Sequence, residues 1–460
     1  MSDNNNIHHT ESPTERLSRP LENSFERIAN PFYDFIKNQT VASGILLAAT
    51  LLAILLANSD YAHDYEAFFH NRLGIIFSDF IFERSIHYWI NEGIMALFFF
   101  IIGLEIKREL LVGELKNLNR AVTVIAAAMG GMLLPAAIYL AINATTDTIH
   151  GWGIPMATDT AFVIGILALL RKHVPTALVV FITALAILDD IGAILIIAFF
   201  YTETVSLIHL AYAAGIMALM ILLNLMGVRG PTPYLLVGGL LWLAMLESGI
   251  HATIAGILAA MAVPARAKHD PIWFVDRARK LLSRFERREK NKETDNTILA
   301  DPEQHELVEE IHEVAEQAST PLQRWEHALE TPIAILVLPI FAFANAGVEL
   351  SRQTLAQHLI DPLALGIIMG LLVGKCAGIT TATWLVLKLG LGSMPDNVQF
   401  NHIIGISMLA GIGFTMSLFV AGLGFSSSPE HLNIAKTSVL FASLVAGICG
   451  YLWLRFRVPK

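Results

Sequence analysis

The sequence predicts an all-α polytopic membrane protein with about twelve transmembrane helices. Of its 460 residues, 54% are hydrophobic and only 15% are charged, whereas a soluble domain carries about 25% charged residues. The mean hydropathy is +0.56. The hydrophobic residues are gathered in runs of roughly 20, the length that an α-helix needs to cross a bilayer. A soluble globular fold is therefore excluded.

The chain begins with a polar segment, residues 1–37, in which no cleavable signal peptide is recognisable. Apolar residues recur from Leu21 to Phe35 at a spacing that suits either a short interfacial helix or a plain linker. We expect this segment to be a cytoplasmic tail. The two cysteines, Cys376 and Cys449, lie inside apolar runs and provide neither a disulfide framework nor a metal site.

The predicted membrane spans fall into two groups, eight within residues 38–264 and four within residues 331–460. The link between the seventh and eighth spans is short, and both spans are short themselves. The predicted spans are 41–58, 87–108, 121–143, 151–170, 176–201, 207–226, 233–247, 249–264, 332–348, 360–387, 400–423 and 433–455.

The distribution of basic residues predicts the orientation. Loops after even-numbered spans are rich in Lys and Arg, whereas loops after odd-numbered spans hold only Arg72, Arg84 and Arg352. Positive residues remain on the cytoplasmic side of a membrane. We therefore expect a multi-pass protein of the bacterial inner membrane with both termini in the cytoplasm, which agrees with an even number of spans.

A charged loop, residues 265–330, is the largest predicted cytoplasmic piece. It begins with a basic amphipathic stretch, residues 271–290, and continues with an acidic stretch, residues 301–319, that has apolar residues at helical spacing. The loop reads as a surface hairpin or as a helix resting on anionic lipid head groups. A regulatory role is the alternative.

The fourth and fifth predicted spans together contain three carboxylates: Asp159 in the fourth, and the adjacent Asp189 and Asp190 in the fifth. A carboxylate at the centre of a bilayer costs about 2.5–3.5 kcal/mol even on insertion scales. Two carboxylates in a low-dielectric cleft repel each other when both are ionised, and either a small cation or a proton relieves that repulsion. The Asp189–Asp190 pair therefore predicts a site that binds Na⁺, Li⁺ or protons in competition.

Asp159 lies in an interrupted span. Pro155, Thr158 and Asp159 follow one another closely, which predicts a discontinuous helix whose freed polar groups face a cavity. We expect Thr158 to offer an oxygen to the ion and Asp159 to compensate helix ends. Gly411 and Gly413 predict a second break, in the eleventh span.

Lys375 is a lysine deep inside the tenth span. A buried lysine needs a carboxylate partner or must become neutral. We expect Lys375 to pair with Asp159 or Asp190, so that breaking the pair frees a proton. Snorkelling to an interface is the alternative.

Further titratable residues lie near the predicted ends of the spans. Glu105 and Glu109 follow the second span, and Glu326 and His327 precede the ninth. Because histidine titrates between pH 5 and 8, these residues are candidates for a response to internal pH, with ordinary solvated charges as the alternative. His251, at the outer start of the eighth span, is a further candidate.

Several motifs together resemble the NhaA family of bacterial sodium/proton antiporters. The similarity covers about residues 38–264 and 321–457. The motifs are GLEIKREL (103–110), ATDTAF (157–162), ALAILDDIGA (184–193), SGIHATIAG (248–256), LPIFAFANAGV (338–348), GKCAGI (374–379) and GIGFTMSLF (411–419).

This resemblance implies inverted-topology repeats and two discontinuous crossed helices, a design for which the family is itself a known example. It implies an ion site at Asp189 and Asp190, which also exchange protons, and a partner carboxylate for Lys375. It further implies electrogenic exchange of two protons per sodium ion and a homodimer. The assigned roles are ion and proton binding by Asp159, Thr158, Asp189, Asp190 and Lys375, and pH response by Glu105, Glu109, Glu326 and His327.

The sequence therefore predicts a pH-regulated Na⁺(Li⁺)/H⁺ antiporter that works by alternating access. We expect membrane lipid as its surroundings, no cofactor, no nucleic-acid partner and no enzymatic activity. A sodium-coupled symporter of a small organic anion is the alternative. A membrane aspartyl protease is disfavoured because its Gly-x-Gly-Asp context is missing around Asp189 and Asp190.

Overall fold

A computed structural model describes residues 39–77, 80–113, 118–202, 205–290, 301–350, 358–395 and 397–458. The amino-terminal segment 1–37, for which the sequence suits either an interfacial helix or a linker, lies outside this range. The helices and strands are α1 Gln39–Ala57, α2 Ala62–His70, β1 Arg72–Phe77, β2 Phe80–Ser85, α3 Ile86–Val112, α4 Leu118–Asn143, a 3₁₀ helix Asp147–Met156, α5 Thr160–Leu169, α6 Thr176–Phe200, α7 Leu207–Leu225, α8 Pro231–Ser248, α9 Ile254–Ala262, α10 Pro271–Lys290, α11 Pro302–Ala318, α12 Pro321–Asn345, α13 Pro362–Lys388, α14 Phe400–Leu409, α15 Phe414–Gly424 and α16 Pro429–Phe456.

The prediction of an all-helical polytopic membrane protein is confirmed. Within the described ranges, nine helical segments are long and apolar enough to cross a membrane, and the bent pair α14–α15 makes ten. Three of the long helices contain a π-helical turn, at Trp89–Ile94 in α3, Ile333–Val337 in α12 and Gly370–Gly374 in α13. The number of twelve spans stays a prediction, because it depends on α8 and α9.

The region predicted as the eighth span, 249–264, forms a shorter helix than expected. Helix α8 ends at Ser248. The next residue, Gly249, has a φ of 85°, which is accessible to glycine at little cost, and α9 does not begin until Ile254. Nine helical residues measure only about 14 Å at 1.5 Å per residue. Helix α9 is instead held against α3 by small residues: a Cβ on Gly256 would lie 2.2 Å from the Ala96 carbonyl oxygen.

A β-hairpin between α2 and α3 was not predicted. Strands β1 and β2 pair in antiparallel register, from Arg72 opposite Ser85 to Phe77 opposite Phe80. The Trp89 indole at the start of α3 donates to the Leu73 carbonyl oxygen at 2.8 Å. The two strands share the β-branched and aromatic composition typical of strands, but each is too short to stand out beside the long apolar runs.

The long charged loop contains two paired helices, α10 and α11. Basic side chains of α10 meet acidic side chains at or near α11, as in the Arg277–Glu310 ion pair and the Arg288–Asp301 pair at 3.3 Å. Asp301 also caps α11 by accepting from the Gln304 amide. Leu281 of α10 is buried. The opposite charges of α10 and α11 therefore form ion pairs between the two helices.

Replacing Gly256 by Ala is expected to destabilise the protein by roughly 1–3 kcal/mol, because the new methyl group would overlap the backbone of α3. Gly239→Ala in α8 is the matched control, since nothing lies within 4 Å of a Cβ at that position. Thermal unfolding of the detergent-solubilised protein, followed by size-exclusion chromatography, measures the difference. Equal midpoints for the two variants would contradict the close packing of α9 on α3.

Candidate functional site: buried carboxylates at a helix crossing

The site lies where two interrupted helices contact each other. The first interruption separates the 3₁₀ helix ending at Met156 from α5, and the second separates α14 from α15, which are bent by 45°. The Asp159 amide donates to the Ile412 carbonyl oxygen at 2.6 Å, and Thr158 Oγ1 lies 3.0 Å from the Ala410 carbonyl oxygen. The two non-helical stretches thus satisfy each other's backbone groups, which a membrane interior requires.

Asp159 is bonded to the amino-terminal ends of both half-helices. Its Oδ1 accepts from the Phe162 amide of α5 at 3.2 Å. Its Oδ2 accepts from the Thr415 amide at 2.9 Å and from the Thr415 hydroxyl at 2.7 Å. Because the amino terminus of a helix carries partial positive charge, one carboxylate compensates two helix ends at the crossing.

Asp189 and Asp190 lie in α6, which is continuous from Thr176 to Phe200. Asp189 Oδ2 accepts from Lys375 Nζ at 2.5 Å and lies 2.8 Å from the hydroxyl oxygen of Thr158. Lys375 Nζ also donates to that hydroxyl at 2.9 Å. Thr158, Asp189 and Lys375 therefore form one buried hydrogen-bonded group next to the helix crossing.

The prediction that Lys375 pairs with Asp159 or Asp190 is wrong. Its partner is Asp189. The Asp159 oxygens are used by the two helix ends, so that carboxylate is not available to the ammonium group. Neighbouring residues on a helix point about 100° apart, and α6 turns Asp189 toward the lysine of α13. Both side chains of this ion pair are fully buried.

Part of the charge in this group is not satisfied by the protein. Among the described residues, Oδ1 of Asp189 and Oδ1 of Asp190 are buried and have no hydrogen-bond partner. Asp190 is also subject to the negative charges of Asp189, Glu105 and Asp159. Burying a carboxylate oxygen without a partner is costly. The arrangement is therefore chemically suited to take up a cation or a proton at Asp190 and on the free side of Asp189.

The predicted pH-responsive residues are only partly brought together. Arg108 of α3 pairs with Glu326 of α12 at 2.7 Å, and the charge of Glu326 acts on Glu105. Glu109 is buried at the same end of α3. The His327 side chain, in contrast, is 90% exposed, and its nearest ion-pair partner is Glu330 at 3.9 Å.

His251 lies apart from that group, at the opposite end of α3. Its Nδ1 is 3.5 Å from Glu92 Oε1, and its Nε2 is 3.1 Å from the Tyr201 carbonyl oxygen. Glu92 is near the start of α3 and Glu109 near its end, about 25 Å away at 1.5 Å per residue. His251 and the Glu105–Glu326 group therefore belong to two different regions.

Several buried polar residues were not singled out from the sequence. Glu92 is 8% exposed and accepts from the Ala252 amide at 3.0 Å. Asn345 Nδ2 donates to Asn91 Oδ1 at 2.9 Å, and Asn345 Oδ1 lies 3.1 Å from His87 Nε2. Lys436 of α16 is also buried. Each is a polar residue inside an apolar run, which is the signal that could have identified it.

The fold and the crossing define a polytopic membrane protein with two interrupted, contacting helical segments. Comparison with known proteins identifies the family. The sequence profile described as Na⁺/H⁺ antiporter 1 matches residues 33–454. The chain is 45% identical to the Na⁺/H⁺ antiporter NhaA 1 of Shewanella denitrificans, over 97% of this chain and 98% of the relative. It is 48% identical to the Na⁺/H⁺ antiporter NhaA of Oleidesulfovibrio alaskensis, over 94% of each chain.

The chain therefore belongs to the Na⁺/H⁺ antiporter 1 family, and the resemblance to NhaA drawn from its motifs is confirmed. This is a family of transporters rather than of enzymes. The matched range includes the helix crossing, the Asp189–Asp190 pair and Lys375.

Replacing Lys375 by Met is expected to destabilise the protein by roughly 3–5 kcal/mol, because it leaves the Asp189 carboxylate buried without its cation. The double variant Lys375→Met/Asp189→Asn removes both charges and should recover most of that loss. Unfolding of the solubilised variants at pH 8 measures both values. If the single and double variants are equally unstable, lost packing explains the effect and the ion pair does not.

Proposed function

We propose that this protein exchanges Na⁺ or Li⁺ for protons across the bacterial inner membrane. The observation that carries the proposal is a pair of buried oxygens beside the helix crossing, Oδ1 of Asp189 and Oδ1 of Asp190, that have no partner within the described part of the chain. Membership of the Na⁺/H⁺ antiporter 1 family supports the same activity. The transported cation would bind at Asp189 and Asp190 as a substrate.

Exchange follows from competition for the same oxygens. When Asp190 and the free side of Asp189 are ionised, their repulsion favours a cation; when they are protonated, that repulsion is gone and the cation has no charge to bind. A site that holds either a cation or protons couples the two fluxes. Lys375 and Thr158 would orient Asp189 in either state.

The protonation of two adjacent carboxylates such as Asp189 and Asp190 is coupled, and the second proton would be carried within the group that these two residues form with Lys375. With two protons per sodium ion, each cycle moves one net charge. A potential of 100 mV then supplies roughly 2.3 kcal/mol toward expelling sodium. The interrupted helices, whose contact depends on a few hydrogen bonds, are the elements expected to move during alternating access.

The basic loops support an orientation with both termini in the cytoplasm. In that orientation the Arg108–Glu326 pair and Glu105 face the cytoplasm, where they would respond to internal pH. Family membership is the ground for the expected homodimer. The alternative, a symporter of an organic anion, lacks support because the lysine that it would need, Lys375, is already paired with Asp189.

Asp190→Asn is expected to abolish exchange while leaving the protein folded, because the amide cannot alternate between a proton and a cation. The test uses proteoliposomes with an acidic interior and an internal pH dye, to which Na⁺, Li⁺, K⁺ or choline is added outside. Wild-type protein should alkalinise the interior with Na⁺ and Li⁺. The exposed Asp147→Asn is the matched control and should retain activity. Wild-type rates in Asp190→Asn would refute the proposed site.

A change at Glu326 is expected to move the pH profile of exchange, whereas a change at His327 is not. Glu326→Gln removes the partner of Arg108 and a negative charge that acts on Glu105. His327→Ala removes a side chain that is 90% exposed. Because solvent screens exposed charges, this change has little effect on the other groups. Exchange rates recorded from pH 6 to 9 compare the two variants. A shift in His327→Ala with none in Glu326→Gln would reverse this assignment.

A further inference from the structure

A groove on the outer surface of the helix bundle has no role in the proposed exchange. It runs between α4 and α13 and has a volume of about 540 Å³, within the roughly 300–1,000 Å³ typical of ligand sites. Nine residues line it, and of these only Thr381 is polar.

The groove exists because the two helices touch through glycine. A Cβ on Gly130 would lie 2.3 Å from the Gly378 carbonyl oxygen, and a Cβ on Gly378 would lie 2.1 Å from the Gly130 carbonyl oxygen. The larger side chains stand at the edges of this contact: Leu133, Trp384 and Leu385 are 58%, 49% and 49% exposed. The groove is the space left between these exposed apolar side chains.

The lining of the groove is almost entirely apolar, and the hydroxyl of Thr381 is bonded within its own helix. The Thr381 hydroxyl donates to the Ala377 carbonyl oxygen at 2.6 Å, so its one hydrogen is used within the helix. An apolar cavity without polar partners stays dry. On the lipid-facing surface of a membrane protein, the substance at hand to fill such a groove is an acyl chain.

A positive charge stands at one end of the groove. Lys388, in the last turn of α13, is exposed, and its Nζ lies 4.5 Å from the centre of the Trp384 ring. Basic residues between membrane helices at the cytoplasmic side bind anionic lipid head groups. A tryptophan at the same level suits the membrane–water interface.

We propose that this groove binds one anionic phospholipid, with an acyl chain along the Gly130–Gly378 contact and the phosphate on Lys388. The ligand would touch the helix that carries Lys375: on the other side of the same helix contact, a Cβ on Gly131 would lie 3.8 Å from Lys375 Cδ. The lipid site is independent of the proposed ion site, because none of its lining residues binds the ion.

The test is quenching of tryptophan fluorescence by brominated acyl chains. The full chain is reconstituted with brominated phosphatidylglycerol or phosphatidylcholine, and the contribution of Trp384 is the difference between wild type and Trp384→Phe, since the chain has 7 tryptophans. The expected preference for phosphatidylglycerol at Trp384 is on the order of fivefold, equivalent to about 1 kcal/mol for one basic residue. Lys388→Gln should abolish the preference, and Lys172→Gln, at another exposed helix end, should keep it.

Three results would overturn the proposal. Equal quenching of Trp384 by the two lipids would mean ordinary contact with the bilayer. A preference that persists in Lys388→Gln would mean that the head group binds elsewhere. Quenching by neither lipid would mean that protein, such as a second copy of the chain, covers the groove.

Discussion

The cost of burying charge in an apolar membrane is the constraint on which this structure depends. Lys375 and Asp189 are fully buried, and such a pair is tolerated only when its geometry is good and its remaining polar groups are bonded. Thr158 supplies that third partner from within the interruption between Met156 and Thr160. The interruption in turn exposes backbone groups, which the second break and Asp159 satisfy. The ion pair and the crossing therefore require each other.

The three buried aspartates at and beside the helix crossing differ in how fully the protein satisfies them. Asp159 accepts from three donors at two helix ends. In the ranges that the structure describes, Asp189 is bonded on Oδ2 and not on Oδ1. Asp190 lies beside both with Oδ1 unpartnered among the described residues. A carboxylate whose oxygens are hydrogen-bonded by the protein fixes the local structure, whereas one with an unbonded oxygen is able to bind a cation or a proton. The hydrogen bonds to Asp159 stabilise the helix crossing, and the proposed exchange of cation and proton takes place at Asp190.

Much of this could be predicted from the sequence, because apolar run length determines membrane helices and polar residues within a run mark interruptions. Prediction failed where the outcome depends on three-dimensional packing. The direction in which Asp189 points, which gives it Lys375, depends on the rotation of α6 within the bundle. The short α9 and the hairpin β1–β2 depend on contacts with α3.

The central claim is that one group of oxygens binds either sodium or protons. Isothermal titration of Na⁺ into the solubilised protein, repeated in buffers of different ionisation enthalpy, measures the protons released per ion bound. We expect Na⁺ binding to release protons, and we expect Asp190→Asn to lose both the binding and the release. Na⁺ binding by the wild-type protein without proton release would contradict the proposed competition, because the cation would then occupy a site that protons do not share.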